Sequence, residues 1–339
     1  MTEFYNTPKK SHPPEGSLLK SDSNKRYTET RRALEECITS NRTIEAICVI
    51  CDSHHNLIVD FGFIKGVIPR NEGAIGIQEG STRDIALISR VNKPVCAKVC
   101  GFVGENELYA HMTDDFIRKS YPGYALMSRK KAQLECISEY INHLSPGDII
   151  SAKITHLEQF GCFIDIGRGL PSLIPIDSIS ISRISHPSDR FCVGMDIIAV
   201  VKSIDKNSGI YGVYPKITLT HKELLGTWEQ NAANFTPGET VSGIVRSVES
   251  YGIFVELLPN LAGLAELRDN IVVNQSVSVY IKAIIGEKMK IKLIIVDSFD
   301  SPKINYDYNY YITSGNIDSW VYSTETADKQ IRTDFHSWD

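Results

Sequence analysis

Two aromatic side chains three residues apart, with a glycine directly after the first, occur twice in the sequence. The pairs are Phe160 with Phe163, and Tyr251 with Phe254. Flat rings on the solvent face of a sheet can stack on unpaired nucleobases, and each stacked base contributes about 1–3 kcal/mol. Rings of an ordinary core are the alternative, but the repetition favours a surface that binds nucleic acid.

Strands must position these rings. Around each pair, apolar and acidic residues alternate with the period of a half-buried strand. Residues three apart in a regular strand point to opposite faces, so a shared face requires the ladder to slip by one residue. We expect this slip at Gly161 and Gly252.

Length and charge limit the class of protein. The chain has 339 residues and a formal net charge of −5 at pH 7. This length suits two or three domains, and the negative charge argues against binding nucleic acid mainly by phosphate neutralisation. No apolar run approaches the ~18 residues of a membrane helix, and the N-terminal segment lacks the apolar stretch of a signal peptide. We therefore expect a cytoplasmic protein with no membrane contact.

The cysteines indicate buried thiols rather than a framework of disulfides, because most lie inside apolar strand patterns. Cys48 with Cys51, and Cys96 with Cys100, form close pairs of the kind that can bind zinc. The first pair lies in a predicted strand without the turn that would aim both sulfurs at one metal. We expect no metal and no other cofactor. The sequence also has no phosphate-binding loop or nucleophile elbow, so it predicts no enzyme.

Turn signals and changes of hydrophobic period divide the chain into seven segments. Three are rich in strands, and the polar segments lie at the two ends. The predicted segments are a disordered tail at 1–31, a degenerate barrel-like repeat at 32–103, a helical linker at 104–144, a repeat at 145–222, a linker at 223–235, a repeat at 236–296 and an acidic, tyrosine-rich tail at 297–339. The last tail is expected either to dock on the third barrel or to form a separate contact.

The first repeat and the helical linker carry two further expectations. Residues 84–88 are predicted as a strand, and His55 and Ile58 occupy the positions of the aromatic pair, so any RNA binding there would be weak. Ser128 is the predicted N-cap of a helix whose first turn, 129–131, is basic. Cations there oppose the helix dipole, so either the turn is solvated or something other than helix stability holds it.

Several motifs recur around the rings: a Pro-Gly turn, Phe/Tyr-Gly-x-Phe with an acidic residue two positions later, Leu-Ile-Pro or Leu-Ala-Glu, and a closing Lys-Ile strand. Together they resemble the OB-fold repeat of the bacterial small-subunit ribosomal protein S-one (S1) family. The resemblance is good over 145–222 and 236–296 and weak over 43–103. The connecting sequences resemble the short Gram-positive, clostridia-like form. The resemblance implies a mainly β protein of tandem five-stranded OB-fold barrels, with a helical linker and flexible termini.

The resemblance also implies a binding face for single-stranded RNA, formed by two aromatics, a histidine, an acidic and a basic residue. Pro175 and Glu266 take the histidine position in the two clear repeats. We add two lysines as partners for phosphate. The predicted RNA-binding residues are Phe160, Phe163, Lys153, Lys202, Asp205, Lys216, Tyr251, Phe254 and Lys290. Tyr211 and Tyr214 either extend the stacking surface or pack their own loop.

The sequence thus predicts a protein that binds single-stranded RNA, in particular mRNA, and acts with the small ribosomal subunit in translation. One alternative is an RNA chaperone or an adaptor of RNA decay. Another is a protein-interaction scaffold whose barrels have lost RNA binding.

Overall fold

The computed structural model describes residues 12–104, 115–121, 123–210, 212–299 and 308–335. These residues contain three closed five-stranded barrels and a separate two-stranded sheet. In each barrel the fifth strand lies between the third and fourth, and the fourth closes on the first. This is the OB-fold arrangement, so the prediction of a mainly β chain with tandem OB-fold barrels is confirmed.

The strands follow one another in chain order through the three barrels. The first barrel consists of β1 (Thr43–Cys51), β2 (Leu57–Asp60), β3 (Lys65–Ile68), β4 (Pro94–Val103) and β5 (Tyr124–Ser128). The second consists of β6 (Ile149–Glu158), β7 (Gly161–Asp165), β8 (Pro171–Pro175), β9 (Asp196–Ile210) and β10 (Tyr214–Thr220). The third consists of β11 (Thr240–Glu249), β12 (Gly252–Leu258), β13 (Leu261–Ala265), β14 (Ser276–Ile285) and β15 (Lys290–Phe299). The separate sheet pairs β16 (Ser319–Val321) with β17 (Arg332–Asp334).

The helices are short and connect or cap the barrels. They are α1 (Asp22–Thr28), α2 (Arg31–Thr39), α3 (Ile85–Ile88), α4 (Asp115–Ser120), α5 (Arg129–Glu139) and α6 (Trp228–Ala232). No helix within the described ranges combines the length and the apolar composition needed to cross a membrane.

The chain divides into two compact units. Unit 1 comprises 1–144, 165–171 and 205–216, and unit 2 comprises 145–164, 172–204 and 217–339.

The first barrel of unit 1 extends beyond the predicted repeat. The predicted helical linker contains β5, which pairs parallel to β3 and antiparallel to β4 and so closes the barrel. A short, fully buried apolar run has no periodicity that separates strand from helix. The error at 84–88, where the predicted strand is α3, has another origin, because a run of four apolar residues is too short to show a helical period.

Residues 12–31 are ordered, which corrects the prediction of a disordered tail for this part of 1–31. Ser21 and Thr30 cap α1 and α2 by accepting hydrogen bonds from backbone N–H groups. Glu15 is buried, and its carboxylate accepts hydrogen bonds from Arg129 Nε at 2.6 Å and Nη2 at 2.9 Å. The polar residues of this segment indicated disorder, but one of them, Glu15, is held in place by a buried ion pair.

The same ion pair explains the basic first turn of α5. The Ser128 hydroxyl accepts from the Lys131 N–H, as predicted for an N-cap. Arg129 is buried against Glu15, so this part of the charge run is not solvated. The backbone N–H of Glu15 also donates to Asp165 at 2.7 Å, and burial with the nearby Glu15 carboxylate raises the pKa of Asp165 to about 7.

The core of unit 2 includes part of the predicted acidic tail. Ile317, Trp320, Tyr322 and Phe335 are buried in the same cluster as the interior of the third barrel. The backbone N–H of Trp228 donates to the backbone carbonyl of Tyr322 at 3.0 Å. Within 308–335 the segment is thus an integral part of unit 2, held by its apolar side chains despite its acidic composition. Residues 300–307, including Tyr306, lie outside the described residues.

Candidate nucleic-acid interface

The aromatic pair of the second barrel lies at the junction of β6 and β7. Phe160 occupies the turn between these strands and is 56% exposed, whereas Phe163 lies within β7 and is half-buried. Their ring centroids are 6.0 Å apart and the ring planes are perpendicular. One ring therefore projects into solvent, and the other supports it from the strand.

The third barrel repeats this arrangement closely. Tyr251 lies in the turn between β11 and β12 and is 68% exposed, and Phe254 is half-buried on β12. The centroids are 6.1 Å apart, again with perpendicular planes. Both predicted pairs are therefore brought together with one geometry.

The predicted slip at the glycine is wrong for the third barrel. Gly252, Ile253 and Phe254 pair continuously with β11, and the register shifts between Val245 and Ser247 on the neighbouring strand. The first aromatic reaches the shared face because it lies in a turn. The glycine allows close approach instead: a Cβ on Gly252 would meet the Ala265 carbonyl oxygen at 2.7 Å, and one on Gly161 would meet the Ile174 carbonyl oxygen at 2.4 Å.

The predicted lysines of the second barrel have different surroundings. Lys153 on β6 forms an ion pair with Asp196. Lys202 on β9 donates to the Ser178 hydroxyl at 3.1 Å. Lys216 on β10 is exposed. Lys216 is thus exposed beside the Asp205 carboxylate, with which it interacts electrostatically, whereas Lys153 and Lys202 have direct protein partners to exchange.

The predicted acidic residue and the two hairpin tyrosines lie near the β9–β10 turn. Asp205 is exposed, and hydrogen bonds from Ser208 and from the Asn207 N–H lower its pKa. Tyr214 is buried and donates to the Pro171 carbonyl at 2.8 Å, so its ring packs the protein interior and does not extend a stacking surface. Tyr211 lies outside the described residues.

The third barrel carries an unusual outward row of side chains. Phe254, Leu264, Ile294 and Tyr280 project from four neighbouring strands: Phe254 pairs with Leu264, and Tyr280 pairs with Ile294. Lys292 pairs with Leu264 across β13 and β15. The row is thus both apolar and flanked by a lysine.

Charges at the rim of this row are mixed. The predicted Lys290 is exposed at the start of β15. Glu266, expected to repel phosphate, has a carboxylate oxygen 3.9 Å from Lys282 Nζ, so its charge is partly offset.

The first barrel has His55 and Ile58 at the positions of the aromatic pair. Ile58 is buried, and His55 Nδ1 lies 3.7 Å from an Asp84 carboxylate oxygen. The neighbouring His54 ring stacks on Phe116 of α4, with centroids 3.8 Å apart and planes at 13°. Phe116 therefore covers one face of the His54 ring.

The sequence analysis did not predict one ring that lies beside the aromatic pair of the second barrel. His156 on β6 stacks beside Phe163, with centroids 6.4 Å apart and planes at 29°. Its Nε2 donates to Glu158 at 2.8 Å. The signal that could have revealed it is its position four residues before Phe160, on the strand that hairpins into β7.

The two cysteine pairs lie on neighbouring strands of the first barrel, Cys48 and Cys51 on β1, and Cys96 and Cys100 on β4. Within the described part of the chain, no three His, Cys, Asp or Glu side chains come together as a metal would require. Burial raises the thiol pKa of Cys48, Cys51, Cys96 and Cys100.

Comparisons with known proteins identify the second barrel most directly. Residues 144–211 match the family model described as S1 RNA binding domain. A small ribosomal subunit protein bS1 homolog of Bacillus subtilis is 30% identical over 189 residues, which cover 50% of this chain and 47% of that protein. A homolog of the same name from Bacillus cereus is 27% identical over 289 residues, covering 74% of this chain and 73% of that protein.

The chain covers only part of the length of these relatives. The chain spans about half the length of the Bacillus subtilis relative, and 31% of a small ribosomal subunit protein bS1 from Chlamydia trachomatis, to which it is 29% identical. A solved multidomain protein with nucleic acid binding domains from Streptococcus pneumoniae covers 75% of this chain at 11% identity, with a TM-score of 0.23.

Proposed function

We propose that this chain, which belongs to the family of proteins with S1 RNA binding domains, binds single-stranded RNA. We further propose that its RNA is mRNA and that it acts with the small ribosomal subunit in translation. The observation that carries the proposal is the exposed aromatic pair on two OB-fold barrels with matching ring geometry. The bS1 names of the relatives support the proposed place of action. We further propose that the protein acts in the cytoplasm by binding rather than by catalysis.

Stacking supplies most of the affinity in this mechanism. A base that lies on Phe160 covers a ring already in place, with Phe163 at its edge. Every base has a flat face, so such contacts discriminate little between sequences. Lys216, and Lys153 and Lys202 after exchange of their partners, neutralise the phosphates. Two modest sites on one chain then raise the apparent affinity through linkage.

The direct test is titration of the full chain against a fluorescein-labelled oligouridylate by fluorescence anisotropy. The double variant Phe160→Ala/Phe163→Ala should weaken binding by about 2–5 kcal/mol if two bases stack. The matched variant Tyr251→Ala/Phe254→Ala removes two rings of the same geometry from the third barrel. Phe63→Ala, which removes an exposed ring from the first barrel, is the control.

Unchanged affinity in both double variants, with unaltered circular dichroism spectra, would refute the proposed RNA face. Sedimentation of the native protein with and without RNase then tests its place of action. Migration with small subunits supports translation. Migration with a ribonuclease complex supports the alternative role in RNA decay, and RNA binding without either supports a chaperone.

A protein partner is a second candidate for the third barrel alone. Leu264 and Ile294 are aliphatic, so they cannot stack on bases, yet they lie in one outward row with Phe254 and Tyr280. If Tyr251→Ala/Phe254→Ala leaves oligouridylate binding unchanged and Phe160→Ala/Phe163→Ala weakens it, RNA binding is assigned to the second barrel only. Equal sensitivity to both would exclude this candidate.

A further inference from the structure

We propose that His156 is a third base-stacking ring of the second barrel and that Glu158 positions it. This inference rests on the proposed function and extends it to a residue outside the aromatic motif.

The geometry places the imidazole on the same surface as the aromatic pair. The His156 and Phe163 centroids are 6.4 Å apart with planes at 29°, and Phe163 is 6.0 Å from Phe160. Phe163 therefore lies in contact range of two other rings. Neighbouring bases of a single strand can stack on successive rings of such a surface.

The His156 side chain is available to a ligand because it is 63% exposed. It is also oriented, since its Nε2 donates to Oε1 of Glu158 at 2.8 Å. An oriented ring loses less conformational freedom when a base stacks on it than a freely rotating ring. An exposed imidazole with one surface carboxylate partner contributes little to folding, which separates its role in binding from a role in stability.

The third barrel shows what this position looks like without a ring. Ser247 lies four residues before Tyr251, as His156 lies four residues before Phe160. Ser247 pairs directly with Phe254 across β11 and β12. The two barrels thus share the aromatic pair and differ in the residue beside it, so the second barrel has a third ring that the third barrel lacks.

The test is an anisotropy titration of the full chain with the same labelled oligouridylate. His156→Ser installs the residue of the third barrel and should weaken binding about fivefold or more, the value of one stacked base. His156→Phe keeps a ring and should bind within about twofold of the native chain, as expected when a stacking ring is conserved. His143→Ser, at an exposed histidine that follows α5, is the matched control and should bind like the native chain.

Salt dependence separates a stacking ring from a contact to phosphate. Loss of stacking leaves the slope of log affinity against log salt unchanged, whereas loss of a phosphate contact makes it shallower. A shallower slope for His156→Ser would overturn the stacking role.

A double-variant cycle tests the positioning role of Glu158. Glu158→Ala, which removes the oxygen that accepts from His156 Nε2, should weaken binding in the native background and cause no such loss in the His156→Ser background. An equal loss in both backgrounds would show that Glu158 acts independently of His156 and would overturn this part.

The outcomes distinguish this inference from the function on which it rests. If Phe160→Ala/Phe163→Ala weakens binding and His156→Ser does not, the third ring is refuted and the RNA face stands. If neither variant changes the affinity, the RNA face of the second barrel itself is refuted.

Discussion

A buried network of two arginines and two carboxylates in unit 2 gives a sharp prediction for stability. Glu256 on β12 accepts hydrogen bonds from Arg246 at 2.8 and 3.3 Å, and forms an ion pair with Arg190, which precedes β9. Asp189 lies 3.9 Å from Arg246. The side chains of Glu256 and Arg190 are almost completely buried, so solvent cannot replace a lost partner.

Glu256→Gln keeps the shape and removes one negative charge, which leaves a buried excess of positive charge. Breaking a buried ion pair in this way costs about 3–5 kcal/mol. With a urea dependence of about 2 kcal/mol per molar, the unfolding midpoint should fall by about 1.5–2.5 M. The matched control is Glu266→Gln on the same barrel, because its exposed pair with Lys282 contributes about 1 kcal/mol or less.

Tryptophan fluorescence is the suitable assay. Trp228 and Trp320 are both buried in the core of unit 2, so their emission reports the unfolding of that unit. Separate units need not unfold in one transition, so a local probe is necessary. A midpoint for Glu256→Gln equal to that of Glu266→Gln would refute the claim that the network is buried and mutually dependent.

Three further predictions concern other parts of unit 2. Burial lowers the pKa of His221 to about 4 from an ordinary 6.5, so the unfolded chain binds a proton first as the pH falls. Stability is fully present above pH 6.5, and about 3 kcal/mol of it is lost by pH 4; urea titrations across this range should show the loss, and His221→Asn should flatten it. Gly161→Ala brings a Cβ to 2.4 Å from the Ile174 carbonyl oxygen, so differential scanning calorimetry should show a lower melting temperature and anisotropy should show weaker RNA binding. An unchanged melting temperature would contradict the close approach. Trp320→Ala should destabilise unit 2 by about 3–5 kcal/mol in urea titrations followed by circular dichroism, and a loss below about 1 kcal/mol would contradict its place in the core.

The barrel strands were predictable because their signals are local. Alternation around Phe163 and Phe254 indicates half-buried strands from neighbouring residues alone, and the structure has β7 and β12 there. The ring pairs followed from the same pattern, although in the third barrel the register does not slip at the glycine, and Tyr251 lies in a turn.

Long-range contacts account for the elements that the sequence did not predict. Glu15 is separated from Arg129 by 114 positions, so no local pattern shows that this polar segment is ordered. Likewise, β5 can be recognised only after β3 and β4 leave a place for it. His156 was missed for a related reason, since its ring gains a partner only when β6 and β7 form a hairpin.

The apolar side chains of 317–335 affect when unit 2 can fold during synthesis of the chain. Ile317, Trp320, Tyr322 and Phe335 complete a core whose other members include Val245 of β11. A nascent chain that has released β15 but not this segment exposes that core to water. We expect unit 2 to reach its full stability only when this segment has joined the core, because such contacts require closure of a long loop. Until Phe335 emerges, the nascent chain therefore exposes the apolar surfaces on which chaperones and aggregation both act.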